Sequence, residues 1–315
     1  MSSIQLVTSF IFSVMRLSTP LIYAALAAAV CTKTGLLNMA VESMMLAAAL
    51  GGVLVSGITG SAWIGLLGAI ASGVLVALFI SYASFIGKAD LYLTNIAMNL
   101  AAVGGTIFIL YALTGKKSNS AGIPSQSLPT LVIPVLKDIP ILGDILSGHN
   151  ILTYIAIIAA FGVHFFIYRT RLGLRMRSVG ENPNAAESVG ISIVKIQFTA
   201  YIISGFLGSL GGAFLSMGYL TSFSRNMTSA RGFIGLAASN MVNGSPIGAL
   251  FTSMLFGASD AAAKRLQMEN VITDFVLMIP YGVTILALVV IAIVRQYREK
   301  AVIKTSMGAI KTTKK

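Results

Sequence analysis

The chain is short of charge, cysteine and histidine, and each shortage closes off a class of function. Only 10% of its 315 residues are charged, against 56% hydrophobic, whereas a soluble domain carries about a quarter charged residues. Cys31 is the single cysteine, so no internal disulfide and no Cys-rich metal site can form. The only histidines, His149 and His164, stand fifteen residues apart, which offers neither a metal-ligand cluster nor a Ser/His/Asp set. The motifs G-x-x-x-x-G-K-[ST], G-x-S-x-G and H-E-x-x-H are all missing, so nothing points to a P-loop of its own, a hydrolase elbow or a zinc protease. No basic n-region followed by a small-residue cleavage site opens the chain, and the N-terminus is expected to be retained.

Apolar runs fill the space that charge leaves. A hydrocarbon layer of about 30 Å needs roughly 20 apolar residues. Such runs fall near 17–33, 36–57, 62–87, 91–114, 150–169, 196–218, 247–265 and 273–294. The leading stretch Ile4 to Met15 is too short to count separately and is assigned to the interface. The pattern predicts an all-α, polytopic helical membrane protein with about 8–10 transmembrane segments, folded as a single membrane domain over 1–315.

The net charge of +12 is unevenly spread. Five bases against Glu181 and Glu187 lie between Arg169 and Lys195, and seven against Glu299 between Arg295 and Lys315. Between Gly115 and Asn150 only Lys116, Lys117 and Lys137 face Asp138 and Asp144. Short cytoplasmic loops hold the Lys/Arg excess, so 170–195 and the tail 295–315 are expected inside, and the loop 115–149 and the N-terminus outside. The bases are not interleaved with aromatics as a single-strand binder needs, which argues against nucleic acid.

Parity then demands one more crossing between the two basic regions than the full-length runs supply. The segment Arg231 to Asn243, RGFIGLAASNMVN, fits it. Thirteen helical residues reach only about 20 Å, and Gly244 and Pro246 end the run. A short broken helix of this kind belongs near a substrate pathway, where protein or water shields the backbone. Gly205, Gly208, Gly211 and Gly212 read instead as helix–helix contact.

Within the cytoplasmic segment, Asn182 suits a helix N-cap, Pro183 the first helical position and Gly190 the residue past the end. A two-turn helix from Pro183 to Val189 is therefore expected against the inner face, suited to touching a partner. Arg171, Arg175 and Arg177 serve topology and contact with anionic lipid. Glu42 is the acid set well inside an expected span, with Asn38 one turn earlier. Asn95 and Asn99 repeat that spacing, and Asn240 and Asn243 sit on the short segment. Amides both donate and accept without charge, which suits a neutral polar solute. Interhelical bonding needs the same residues, and for Glu42 the pathway and structural readings stand level. Asp260 and Asp274 are expected at the interface.

Four stretches resemble one family. GLLNMAVESMML (Gly35 to Leu46), IPILGDILSGHNILTYI (Ile139 to Ile155), SVGENPNAAESVGI (Ser178 to Ile191) and SARGFIGLAASNMVNGSPIGAL (Ser229 to Leu250) are similar to permease subunits of ABC importers for nucleosides and simple sugars, relatives of the ribose and branched-chain amino-acid permeases. The second stretch resembles the outer loop of the nucleoside branch in particular. Ala40 and Ser43 stand where the family commonly has glycine, and Asn240 to Gly244 departs from its usual Phe-Gly ending.

The resemblance implies an all-helical permease in a bacterial plasma membrane, with no cofactor, metal or ATP hydrolysis of its own. Its partners would be ABC ATPase subunits, a second permease chain and an extracytoplasmic solute-binding protein or lipoprotein. Glu181, Asn182, Pro183, Ala185, Ala186, Glu187 and Gly190 match the helix that couples to the ATPase. Asn38, Glu42, Asn95, Asn99, Asn240 and Asn243 would border the translocation path. An ion-coupled secondary transporter, a polytopic membrane enzyme and a non-transporting scaffold are the rivals. Ribose-like sugars and riboflavin-like compounds are the alternative solutes.

Overall fold

The computed structural model describes residues 3–132 and 142–268, and the single positions 282, 285, 286, 289 and 293. The expected span 273–294, apart from those positions, and the basic tail 295–315 lie outside the described residues. Two compact units are distinguished, Met1–Ala261 and Ala262–Lys315. The helical bundle belongs to the first.

Helices dominate it: α1 (Ser3–Thr32), α2 (Val41–Thr59), α3 (Ala62–Ser81) with a π-helical extension (Tyr82–Ile86), and α4 (Leu91–Thr114). A short helix α5 (Leu142–Leu146) precedes α6 (Ile151–Arg169), α7 (Arg171–Glu181) and α8 (Pro183–Ser188). Then come α9 (Ile193–Ala213) with a π-helical extension (Phe214–Tyr219), α10 (Arg231–Met241) and α11 (Pro246–Met268), which runs across the unit boundary. Six helices among the described residues are long and apolar enough to cross a membrane: α1, α2, α3, α4, α6 and α9. This is a polytopic all-α membrane protein.

Two expectations are corrected. The leading stretch Ile4 to Met15 is not a separate interfacial piece but the first half of one 30-residue helix. No glycine or proline interrupts it before Pro20, and the Ser13 hydroxyl bonds back to the Ser9 carbonyl. Conversely, the run 36–57 is not helical from its start. Residues 33–40 leave the helix before α2 begins at Val41. Gly35 takes φ +75°, and the Asn38 side chain accepts from the Ala40 N–H at 2.9 Å, a local bond that competes with helix.

Small residues set the packing. The core joins α1, α2, α3 and α9, and the second half of α1, from Leu17 to Cys31, is buried throughout. A Cβ on Gly235 would meet the Ala24 carbonyl carbon at 2.8 Å, and one on Gly212 the Met45 carbonyl carbon at 2.9 Å. Such approaches replace the hydrophobic drive that lipid cannot supply between helices.

Loops gather at the two ends of the bundle. At one end, Asn119 bridges Ser224, Leu128 N–H donates to the Met217 carbonyl at 2.9 Å and Gln126 N–H to the Ser56 hydroxyl at 2.9 Å. Two-residue strands β1 (Thr130–Leu131) and β2 (His149–Asn150) pair antiparallel there. The His149 ring stacks on Phe12, 4.0 Å between centroids. At the other end of α6, about 28 Å away by helix length, lie the turn after α1, α7 and α8.

Candidate functional site

Two places in this frame carry polar groups that the packing alone does not require. The first centres on the start of α10. Before it, Asn226, Ser229 and Ala230 all take positive φ, a contorted entry that ends with its N–H groups pointing at Glu42. The Glu42 Oε1 accepts from the Thr228 hydroxyl at 2.5 Å and the Ala230 N–H at 2.9 Å, and Oε2 accepts from the Gly232 N–H at 2.7 Å. A helix N-terminus leaves such donors unsatisfied and carries partial positive charge, so a carboxylate is the natural partner. Glu42 itself is 6% exposed. Glycine at 232 is a condition of the contact: a Cβ there would lie 2.5 Å from the Glu42 nitrogen and 2.6 Å from its Cα.

Arg231, next along, is a residue that span length and amide spacing do not single out, although it is a cation inside an apolar segment. Its guanidinium donates to the carbonyls of Met227 and Thr228 at 3.3 and 3.2 Å and lies 3.7 Å from the Asp260 carboxylate on α11. The signal is present in the sequence, because a charge in a short membrane segment demands a partner. Asp260, expected at the interface, is that partner.

The expected amide pairs prove to serve different elements. Asn38 and Glu42 do not share a helical face, because Asn38 lies in the 33–40 break. Its amide nitrogen donates to the Ser204 hydroxyl at 2.9 Å. Asn95 on α4 reaches the Leu37 carbonyl at 3.4 Å and the Tyr201 hydroxyl at 3.1 Å. Asn99 donates to the Met39 carbonyl at 2.9 Å and accepts from the Ser43 N–H at 3.1 Å. These three amides therefore satisfy the backbone that the break frees from helical bonding, as buried main chain requires. Asn240 and Asn243 are exposed at the far end of α10. The Asn240 side chain accepts from the Thr32 hydroxyl at 3.5 Å, and Asn243 takes φ +52°, a left-handed position Asn tolerates.

The second place is the polar segment after α6. It forms two helices where one is expected. The unforeseen one, α7, buries Gly173, Met176 and Val179 and turns Arg171 and Arg175 outward. Thr170 caps it, accepting from the Gly173 N–H at 3.1 Å. The expected one, α8, is framed by the residues that suggest it: the Asn182 side chain accepts from the Ala185 N–H at 3.1 Å, Pro183 starts the helix and Gly190 follows it at φ +82°. Ala186 is the only buried residue of α8; Glu181, Asn182, Pro183, Ala185, Glu187 and Gly190 are all exposed, and Val189 is 74% exposed. Between α7 and α8 opens a groove of about 750 Å³ lined by Leu174, Arg175, Asn182, Ala185, Val189 and Ile191, among others. An exposed helix, capped at its start and closed by a left-handed glycine, thus stands beside an apolar groove.

Neither place holds a constellation for bond chemistry, and no cluster of three metal-binding side chains occurs among the described residues. The profile described as branched-chain amino acid transport system / permease component matches residues 10–293. The guanosine ABC transporter permease protein NupQ of Bacillus subtilis is 34% identical over 299 residues, covering 91% of this chain and 93% of that protein. The nucleoside ABC transporter permease protein NupC of Lactococcus lactis is 29% identical, covering 86% and 88%. TsgC13 of Haloferax volcanii, a permease protein provisionally named for glucose, is 30% identical, covering 82% and 78%. No solved structure matches the chain.

Proposed function

Because the chain belongs to the family of branched-chain amino acid transport system permease components, we propose that it carries a nucleoside across the plasma membrane as the path-forming subunit of an ABC importer. The observation that carries the reading is α8, a capped helix standing free beside a groove, in a chain similar over nine-tenths of its length to a guanosine permease. Energy enters there. An ABC ATPase grips Glu181 to Gly190, and its closure on ATP moves the bundle between outward-open and inward-open forms. ATP hydrolysis itself belongs to that separate subunit. A second permease chain completes the path, and a solute-binding protein or lipoprotein delivers to the end where 115–132 and 142–149 lie. That end faces out, and 170–195 and the C-terminus face the cytoplasm, in keeping with the positive-inside charge pattern. The chain works as one permease domain.

Within it, Asn240 and Asn243 border the solute path, because they are the exposed amides on the broken helix. Asn38, Asn95 and Asn99 form the wall behind it. Glu42 holds α10 in place. That assignment also tells against an ion-coupled transporter, whose ion or proton would need Glu42 while three donors already engage it. A sugar is the second solute reading, favoured by the similarity to TsgC13.

Vesicles holding this chain, its companion permease, ATPase and binding protein provide the test. Labelled guanosine should enter only with ATP on the ATPase side, and excess ribose or glucose should not compete. ATP-driven sugar uptake instead would move the substrate and keep the mechanism. Uptake without ATP, abolished by an uncoupler, would replace the mechanism.

A further inference from the structure

The end of α6 that meets α7 carries a cluster of cations that transport leaves unused. The Lys33 ammonium lies 5.8 Å from the centre of the Tyr168 ring, and the Arg177 guanidinium 5.1 Å from the same ring. The His164 imidazole is tilted against it at 4.7 Å. Tyr168 attracts cations through its ring face, but a ring face offers no lone pair and leaves their charge standing. Among the described residues neither Lys33 nor Arg177 is salt-bridged to a carboxylate. Arg177 Nε and His164 Nδ1 are both buried with no hydrogen-bond partner, although buried polar groups normally find one. The geometry is held firmly: Gly180 on α7 approaches so near the turn after α1 that a Cβ on it would lie 3.0 Å from the Lys33 carbonyl carbon.

The surroundings say what kind of anion fits. On α6, Ile158, Phe161 and Phe165 are 68%, 55% and 63% exposed and follow one another at i, i+3 and i+7, a single helical face. That apolar strip lies within the membrane-spanning length of α6 and ends one turn before Tyr168. Charge and strip together form an amphipathic site at the edge of the bilayer.

We propose that Lys33, Arg177 and His164, arranged round Tyr168, bind the phosphate of an anionic phospholipid of the inner leaflet, with its acyl chain along Ile158, Phe161 and Phe165. The proposal rests on the cytoplasmic placement of this end, and not on the solute. Arginine and lysine at such a level give charge-assisted bonds to phosphate. The lipid also ties α1 to α6 and α7 at the base of the coupling segment.

The test uses the full transporter complex in nanodiscs, extracted and read by native mass spectrometry for retained phosphatidylglycerol against phosphatidylcholine. The native chain should retain phosphatidylglycerol selectively. Lys33→Gln with Arg177→Gln should weaken retention roughly 30-fold, the value for two bases beside an anionic surface. Lys195→Gln, a charge removal at the same end of the bundle, should leave it unchanged. Should the double variant fail to assemble, Arg177→Lys, which keeps the charge and loses the fork, should still lower retention measurably. Equal retention in the Lys33/Arg177 and Lys195 variants would overturn the site. Displacement of the lipid by millimolar inorganic phosphate would assign it to a free anion instead. None of these readouts depends on what the importer carries.

Discussion

Alanine in place of Glu42 would strip the acceptor from Thr228, Ala230 and Gly232 together. Buried donors left unmade cost about 1–3 kcal/mol each, so Glu42→Ala should lower the midpoint of thermal unfolding in detergent by many degrees. Glu42→Gln should fall between the two, since its amide nitrogen would face a donor. Equal midpoints for all three proteins would contradict the anchoring role. This residue also shows how far sequence can reach. An acid in an apolar run is legible as an important group, but its partner on α10 is not. The three donors lie about 190 positions further on, two of them plain backbone N–H groups that every residue but proline possesses. Arg231 is readable by the same logic as Glu42, yet the length of its segment says nothing of it.

Among the elements, α8 and α10 are legible because each is bounded by residues with one conformational meaning: Asn182, Pro183 and Gly190 for the first, Gly244 and Pro246 for the second. The start of α2 is not, because LLNMAV is as apolar in a turn as in a helix, and distant α4 side chains join the local Asn38 bond in stabilising the break. α7 is hidden by its arginines, which outweigh the spacing of Gly173, Met176 and Val179 on one face. Gly190→Ala would force a left-handed position at a cost of about 1–2 kcal/mol, with no close neighbour to clash. ATP-driven uptake should therefore fall severalfold while the amount of chain in the membrane holds, and Glu187→Lys should act likewise. Normal uptake in both would remove α8 from the energy path.

The loop before α6 offers a pH test. Burial lowers the His149 pKa from its usual 6.5, the Ile145 carbonyl opposes that and Arg16 adds to it. The freed loop thus takes up a proton at higher pH than the packed one, and packing loses stability as pH falls below about 6.5 until the packed ring also protonates. Amide exchange over 142–150, corrected for intrinsic rates, should quicken across that interval. His149→Phe, which keeps the stack on Phe12, should abolish the acceleration.

For the whole molecule, the polytopic all-α class is the most legible level, since bilayer thickness acts on composition rather than on particular contacts. Partner chains are readable only through resemblance, because an interface between subunits is written in two sequences. The closed pairing of Glu42 with the head of α10 has one more consequence at this scale. A half-length helix ordinarily projects a fixed positive field along a conduit, and here a resident carboxylate cancels it. Arg231 and Asp260 likewise balance each other. In the proposed permease, a solute path beside this helix would therefore present a nearly flat electrical profile to an uncharged solute, and no net charge would move with it. Guanosine uptake at saturating ATP should stay constant when a potassium diffusion potential of either sign is imposed on the vesicles. A rate that tracks the potential would mean that one of these charges changes its exposure to the field during the cycle.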